Sequence, residues 1–160
     1  MKTTMIGTTR TVVVLACLLV AFSARSASAQ VKFGGRLGVS GDPNQFYIGP
    51  HFDFGQVVPP LVFRPNIEAG FGSGGQLVDF NFEFLYRVKL TGNSRNAPWQ
   101  PYVVGGPAAG WAHSSAGGND TSGAFNFGMG LENSKGIFGE IKFGIHYAPS
   151  IKLGIGYTFK

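Results

Sequence analysis

The chain has 160 residues, among them 25 glycines and 15 phenylalanines, and carries 13 basic against 8 acidic residues. Three of the basic residues lie within the first 25 positions, and no basic run occurs elsewhere, so nucleic-acid binding is not indicated. The part that follows the N-terminal segment, about 130 residues, is long enough for one domain, and its composition favours β-structure.

The first 29 residues are predicted to be a signal peptide. Lys2 and Arg10 make its start basic, residues 11–22 form an apolar run, and Ala29 ends a small-residue cleavage site. A membrane anchor is the less favoured alternative, because the run is shorter than the ~20 residues that a spanning helix needs.

A lipoprotein is a second alternative for the N-terminal segment, since cleavage before Cys17 would leave a cysteine that can be acylated. Leu15 is large for such a site, and the apolar run continues beyond the cysteine. We therefore expect residues 30–160 to form a single domain that has no cysteine and no disulfide.

The remaining chain alternates between apolar and polar residues in eight segments. In residues 76–90 every second side chain from Val78 is apolar, and those between are polar or charged except Leu85. A period of two predicts β-strands with one apolar face. The eight predicted strands cover residues 30–41, 45–55, 61–71, 76–90, 99–111, 124–132, 137–147 and 151–160.

Two features of these strands stay open at the level of sequence. The segment 99–111 has small or apolar residues on both faces, so its inward face is not determined. Pro50, Pro65 and Pro107 lie within predicted strands, where each removes a backbone donor, so bulges or bends are expected near them.

Eight antiparallel strands without a helical segment are predicted to close into an up-and-down β-barrel. A soluble ligand-binding barrel turns its apolar face inward, whereas a transmembrane barrel turns it towards lipid. Here the polar face carries charges of both signs in near balance, interspersed with glycines, as expected of a narrow and crowded interior. The sequence therefore predicts a transmembrane β-barrel, with a soluble barrel as the alternative.

The charged residues on the polar face are predicted to form an ion-paired network in the lumen, with a structural role. Its predicted members are Lys32, Arg36, Asp53, Arg64, Glu68, Asp79, Glu83, Arg87, Lys89, Glu132, Glu140, Lys142, His146 and Lys152.

The run Pro101 to Gly106 and the terminal hairpin of residues 139–159 resemble the small eight-stranded outer-membrane barrels of Gram-negative bacteria, the OmpA-type and OmpX-type family. The last strand, with Tyr157 and Phe159, resembles the C-terminal assembly signal of that family, although Lys160 follows it. The resemblance implies a location in the cell outer membrane and both termini in the periplasm.

The same resemblance implies insertion by the barrel assembly machinery with the help of periplasmic chaperones. The expected partners are therefore outer-membrane lipid and these assembly factors, with no nucleic acid, and the barrel is expected to be monomeric. The main function expected is a structural or surface-interaction role with a plugged lumen and short loops, and a narrow pore is the alternative.

A third alternative is an enzyme that modifies lipid A, because the lipid A deacylases are also eight-stranded barrels and pair a histidine with a serine two residues later. After His146 that position holds Ala148, and His113 with Ser115 opens a polar loop. We therefore expect the chain not to be an enzyme. His51 and His146 are expected to be lumen residues, hydrogen-bonded to Glu140 or Asp53.

No spacing in the sequence is typical of a metal site, and no glycine-rich run precedes a helix, so no cofactor is expected.

Overall fold

A computed structural model describes residues 31–72, 75–90, 98–114 and 118–159. The described chain consists of β-strands and turns, and none of it forms a helix long and apolar enough to cross a membrane. The strands are β1 (Lys32–Gly41), β2 (Gln45–Asp53), β3 (Gln56–Val58), β4 (Leu61–Phe63), β5 (Asn66–Gly72), β6 (Gly75–Asn81), β7 (Phe84–Arg87), β8 (Trp99–Ser114), β9 (Asn119–Asn133), β10 (Ile137–His146) and β11 (Ile151–Thr158). The predicted signal peptide lies outside the described residues.

The sheet closes on itself, since β1 pairs antiparallel with β2 on one side and with β11 on the other. Three of the barrel strands are interrupted once, so that β2 and β3, β4 and β5, and β6 and β7 are successive parts of one strand each. The described segments therefore form eight barrel strands. This confirms the predicted all-β, eight-stranded antiparallel barrel.

The three prolines differ in what they do to the strands. Pro65 separates β4 from β5, and its carbonyl accepts a hydrogen bond of 3.0 Å from the Phe52 amide. Pro107 stays within β8, and its carbonyl accepts from the amide of Phe82, at 2.9 Å, where β6 and β7 are interrupted. Pro50 stays within β2 on the outer face. Only Pro65 thus falls at a strand interruption.

The alternation of side chains places the apolar residues on the outside of the barrel and the polar residues inside. Phe33, Ile48, Phe127 and Ile155 are exposed, although each is a large apolar side chain. The interior holds buried Arg, Lys, Asp, Glu and Asn side chains instead. This is the arrangement of a transmembrane barrel and the reverse of a soluble one.

Strand β8 has a definite orientation in the barrel. Tyr102, Val104 and Ala108 point inward, while Trp99 and Trp111 lie on the outer face. The two tryptophans are separated by about 40 Å of strand, or about 30 Å of height at the usual tilt, so they lie near the two borders of an apolar band.

The two ends of the barrel carry different parts of the chain. Strand β1 begins and β11 ends at one end, and the turn of residues 134–136 lies there too. We call this the terminal end. The turns of residues 42–44 and 147–150 lie at the other end, which we call the loop end.

Candidate functional site

The lumen of the barrel is filled by two clusters of ion pairs. The central cluster consists of Arg36, Glu68, Asp79, Glu83, Glu140, Lys142 and Lys152. The terminal-end cluster consists of Asp53, Arg64, Arg87 and Glu132.

The two lysines of the central cluster each bridge two carboxylates. Lys142 Nζ lies 2.9 Å from Glu68 Oε1 and 2.7 Å from Glu83 Oε1. Lys152 Nζ lies 2.8 Å from Glu68 Oε2 and 2.7 Å from Asp79 Oδ2. Both oxygens of Glu68 are thereby occupied by cations from two neighbouring strands, β10 and β11. Because all five residues are buried, the pairs are shielded from solvent and from salt.

Arg36 joins carboxylates from three different strands at one nitrogen. Its Nη1 lies 2.9 Å from Glu140 Oε1 and 3.3 Å from both Glu68 Oε1 and Glu83 Oε2. The second oxygen of Glu140 accepts a hydrogen bond of 3.0 Å from the Tyr102 hydroxyl. Three cations thus face four carboxylates in the central cluster, and each of these carboxylates has a cation within 3.5 Å.

The terminal-end cluster is a second, smaller set of pairs near the mouth of the lumen. Arg64 Nη2 lies 3.1 Å from Asp53 Oδ2 and 2.9 Å from Glu132 Oε2. Arg87 Nε donates to Glu132, and its Nη2 lies 3.5 Å from Asp53 Oδ2. A cavity of about 340 Å³ at the terminal end is lined in part by these residues. From the terminal end, the lumen is therefore open only down to this cluster.

Apolar side chains lie between the two clusters. The ring of Phe138 has the guanidinium of Arg36 at 5.5 Å and that of Arg64 at 5.4 Å, so it contacts one arginine of each cluster. Leu85 belongs to the same packed group, whose members are Val62, Leu85, Tyr102, Val104 and Phe138. The apolar residue at an inward position of residues 76–90 is thus explained, because Leu85 packs in the lumen with Val62 and Val104, its partners on the two neighbouring strands.

A chain of amides adds a polar contact across three strands of the lumen. Asn126 donates a hydrogen bond of 2.7 Å to Asn81, and Asn81 donates one of 2.9 Å to Asn66. Sequence reasoning missed these residues, together with Phe138 and Tyr102. These residues occupy inward-facing positions, because they alternate along the strands with the outward-facing apolar residues. That position is the signal that could have found them.

Eleven of the fourteen residues predicted for the lumen network belong to the two clusters, and three do not. Lys32, Lys89 and His146 are exposed, so their assignment to the network is wrong. Lys32 begins β1 and Lys89 lies beyond the end of β7, where the lumen opens. His146 ends β10 with a φ of 66°, which breaks the alternation at the loop end.

The histidines do not have the partners that the sequence suggested. His51 is buried in the lumen as expected, but its Nε2 shares a hydrogen bond of 2.9 Å with Thr158 Oγ1. His113 is exposed and its Nδ1 is hydrogen-bonded to Asn119 Oδ1 at 2.8 Å. Ser115 lies outside the described residues. Glu132, an acid that follows His113 in the chain, is held by Arg64 and Arg87 in the terminal-end cluster.

The burial of the two clusters determines what their ion pairs contribute to the stability of the barrel. Removing a charge from water is costly, and the attraction between buried charges offsets that cost only where the pairing is complete. Completing the pairs requires residues from strands on all sides of the lumen, so the clusters link these strands across the interior of the barrel.

Among the described residues, no group of His, Cys, Asp and Glu could hold a metal ion.

Comparison with known proteins identified no matching family model and no matching curated protein. The fold, however, is similar to solved structures. The N-terminal β-barrel domain of Pseudomonas aeruginosa OprF aligns with a TM-score of 0.56 at 16% identity, over 81% of this chain and 96% of that one. Neisserial surface protein A (NspA) aligns with a TM-score of 0.54 at 10% identity, over 81% of this chain and 95% of that one.

A de novo designed transmembrane β-barrel aligns with a TM-score of 0.50 at 15% identity, over 84% of this chain and 98% of that one. Identities this low carry the fold and no more. The chain is thus a closed eight-stranded β-barrel with the fold of the small outer-membrane barrels, as its alternation and its terminal hairpin indicated.

Proposed function

We propose that the protein is a non-conducting outer-membrane barrel with a structural or surface-interaction role. The observation that carries this proposal is the filled lumen. Arg36, Glu68, Glu83 and Lys142 have side chains only 1% exposed and lie on four different strands around the axis. An eight-stranded barrel has an interior just wide enough for such side chains, so the pairs act as a plug.

The Gram-negative outer membrane is the proposed location. The exposed apolar outer face supports it, because such a face requires a lipid surrounding. Tyr157 in β11 and Phe159 just after it are exposed, which suits recognition by the barrel assembly machinery and by periplasmic chaperones. We propose that the inserted barrel is a monomer, since closure leaves no unpaired sheet edge to join another copy.

The surface available for interaction lies at the loop end. The hairpin of β8 and β9 presents polar side chains there, since His113, Asn119 and Asp120 are exposed. The connections of residues 42–44 and 147–150 are only a few residues long. We therefore propose a small contact surface rather than a broad adhesive one.

We propose no catalytic role. Two acids that follow His113 in the chain support this. Arg64 and Arg87 both pair with Glu132, and the exposed Asp120 accepts a hydrogen bond of 3.4 Å from the Ser122 hydroxyl.

Planar lipid bilayers test the plugged lumen. Folded wild-type protein, verified by a heat-dependent shift of its mobility in a detergent gel, is expected to give no discrete current steps. A general porin added to the same membrane afterwards serves as the control for the recording. Reproducible small steps from the wild-type protein alone would contradict the proposal and favour the narrow pore.

A further inference from the structure

At the loop end, strand β9 extends beyond the strand that pairs with it on one side. Its pairing with β10 stops at Ala124, opposite His146, whereas its pairing with β8 continues to Asn119. We call residues 119–123 the β9 edge, because no strand that the structure describes pairs with them on the side away from β8. Closure pairs a strand on both sides only over the height that its two neighbours share, so this segment keeps an open edge.

The conformation of His146 explains why β10 leaves β9 at this point. Its φ of 66° turns the chain out of the strand and into the connection of residues 147–150. Pro149 in that connection has no backbone N–H and cannot donate to a ladder. The turn that follows β10 thus leaves the β9 edge without a partner on that side.

The hydrogen bonds of the neighbouring strands determine which backbone groups the β9 edge presents. Pro107 in β8 accepts from the amide of Phe82, so the odd-numbered residues of β8 face β6 and β7. The even-numbered residues of β8 therefore bond to β9, and the register pairs them with even-numbered residues there. Asn119, Thr121 and Gly123 consequently direct their N–H and C=O groups away from β8.

The β9 edge lies above the apolar band of the barrel. Along the outer face of β9 the large apolar residues end at Phe125, and the outward positions beyond it are small or polar. Across the hairpin, Thr121 pairs with Trp111, the tryptophan near the border of the band. The edge is thus presented at the membrane surface, where a chain in the surrounding water can reach it.

A comparison with β3 shows that the β9 edge is not protected against pairing. Strand β3 also pairs on only one side among the described strands, but it has 3 residues, an irregular register with β4, and Pro59 directly after it. Short strands, bulges, proline and lysine are the usual means of protecting an exposed edge. The β9 edge has an unbroken register with β8 and contains no proline, lysine or arginine. Another strand can therefore join it.

The charge of the loop end adds a side-chain preference to this surface. Asp42 and Asp120 are exposed there. No lysine or arginine occurs in residues 108–124 or in the connections of residues 42–44 and 147–150. Because opposite charges on neighbouring strands attract, a strand with a basic side chain opposite Asp120 complements the edge.

A second copy in the same membrane cannot align its β9 edge with this one. Strands of such barrels are tilted by roughly 35–45° from the barrel axis. In two copies related by a two-fold axis along the membrane normal, the facing β9 strands therefore cross at about 70–90°. Strands that pair in a sheet are rotated against each other by only about 20–25°. The inserted barrel thus stays a monomer, and the edge remains accessible to another protein.

We propose that the β9 edge binds an extended segment of another protein as an additional β-strand, with a basic side chain opposite Asp120. The inference deepens the proposed surface-interaction role and rests on it. Hydrogen bonds to the backbones of Asn119, Thr121 and Gly123 supply the affinity, because a row of N–H and C=O groups is matched by another extended backbone. The charge of Asp120 selects basic over acidic segments.

Amide hydrogen exchange, followed by NMR on the full barrel in lipid nanodiscs, tests this edge. In the protein alone, the amides of Asn119, Thr121 and Gly123 are expected to exchange faster than those of Asp120 and Ser122, which bond to β8. The probe is a capped heptapeptide in which threonine and lysine alternate, added at millimolar concentration. At saturation it is expected to slow exchange of the three edge amides by about 10-fold, since each gains a hydrogen bond.

Two substitutions at Thr121 separate the backbone from the side chain. Thr121→Pro removes an N–H that faces the edge and none that bonds to β8, so the hairpin is expected to stay folded. It is expected to weaken peptide binding by roughly 10-fold, through the lost hydrogen bond and the ring placed at the edge. Thr121→Val is the matched control, because it keeps the N–H, and its binding is expected to equal that of the wild type.

The charge preference has its own measurement. Asp120→Asn is expected to weaken binding of the lysine peptide by about 2- to 5-fold, the range of an exposed ion pair. A peptide with glutamate in place of lysine is expected to bind the wild type more weakly than the lysine peptide does. Equal affinities for the two peptides would overturn the assignment of a basic partner.

Three further outcomes would overturn the inference. They are no effect of the lysine peptide on the wild type, equal binding by Thr121→Pro and Thr121→Val, and edge amides that exchange as slowly as that of Ser122 without peptide. The last outcome would show that a second copy or another part of the chain covers the edge. Failure of the proposed function is distinguishable, because it removes the heat-dependent shift or gives current steps in bilayers, and neither measurement involves the peptide.

Discussion

At the scale of single residues, Lys142 shows what the buried charges contribute. Its ammonium group is shared by Glu68 and Glu83 while the side chain is almost completely buried. If the cation is removed, the carboxylates keep their desolvation cost and lose the partner that offsets it. Removing this cation therefore lowers the free energy of unfolding by more than the loss of an exposed ion pair does, since such a pair contributes at most about 1 kcal/mol.

Lys142→Met is expected to lower the free energy of unfolding by roughly 3–5 kcal/mol, because it leaves buried carboxylates short of a cation. Urea unfolding in lipid vesicles, followed by tryptophan fluorescence, measures the change. Lys89→Met is the control, since Lys89 is exposed, and it is expected to change stability by less than about 0.5 kcal/mol. Equal losses in the two variants would show that the central cluster does not stabilise the barrel.

Adding Glu83→Gln to Lys142→Met is expected to restore part of the lost stability, because a carboxylate that has lost one of its two cations is then replaced by a neutral amide. The same unfolding experiment measures the recovery. A double variant that is less stable than Lys142→Met by the full effect of Glu83→Gln alone would contradict the direct pairing of the two side chains.

At the scale of strands, close approach of the backbones decides where glycine is required. A Cβ atom at Gly49 in β2 would collide with the carbonyl group of Ile67 in β5, and one at Gly106 in β8 would collide with that of Phe82. Both glycines point into the lumen. The narrow barrel thus brings neighbouring strands so close on the inner side that a methyl group does not fit.

Gly49→Ala is expected to lower the free energy of unfolding by about 1–3 kcal/mol, because the added methyl group forces the backbone of β5 to move. Gly35→Ala, at the neighbouring outward position, is expected to leave stability unchanged or to raise it by up to about 1 kcal/mol. The measurement is again unfolding in lipid vesicles. Destabilisation of the same size in both variants would contradict a steric requirement at Gly49.

At the scale of the whole molecule, the even number of strands places the start of β1 and the end of β11 at the same end of the barrel. With the proposed orientation, the terminal end faces the periplasm and the loop end faces the outside. Ser150 is exposed at the loop end, and Lys135 is exposed at the terminal end. These two positions therefore report on opposite sides of the membrane.

Single cysteines at these positions test the orientation, since the only natural cysteine, Cys17, lies in the predicted signal peptide. A maleimide that cannot cross membranes is expected to label Ser150→Cys in intact cells. It is expected to label Lys135→Cys only after the outer membrane has been permeabilised. Labelling in the reverse order would overturn the proposed orientation, and equal labelling in intact cells would contradict membrane insertion.

The alternation of residues 76–90 shows how much of the structure could be predicted from the sequence alone. A period of two assigns each side chain to a face. The polar interior was predicted from the near balance of acids and bases on the polar faces of all the strands, where they alternate with glycines. Leu85 could not be explained in this way, because the residues that surround it come from other strands. Its place between Val62 and Val104 is visible only in the closed barrel.

The sequence by itself determined the number of barrel strands and the side of the barrel to which most residues point, since these follow from local alternation. Only the tertiary structure decided which charges meet, that Lys32, Lys89 and His146 stay outside the network, and which face of β8 is inward. The physical reason is that alternation specifies a face but no height along the barrel axis. Height is set by the tilt and stagger of the closed sheet, which brings Arg36 and Glu83, 47 residues apart, within 3.3 Å.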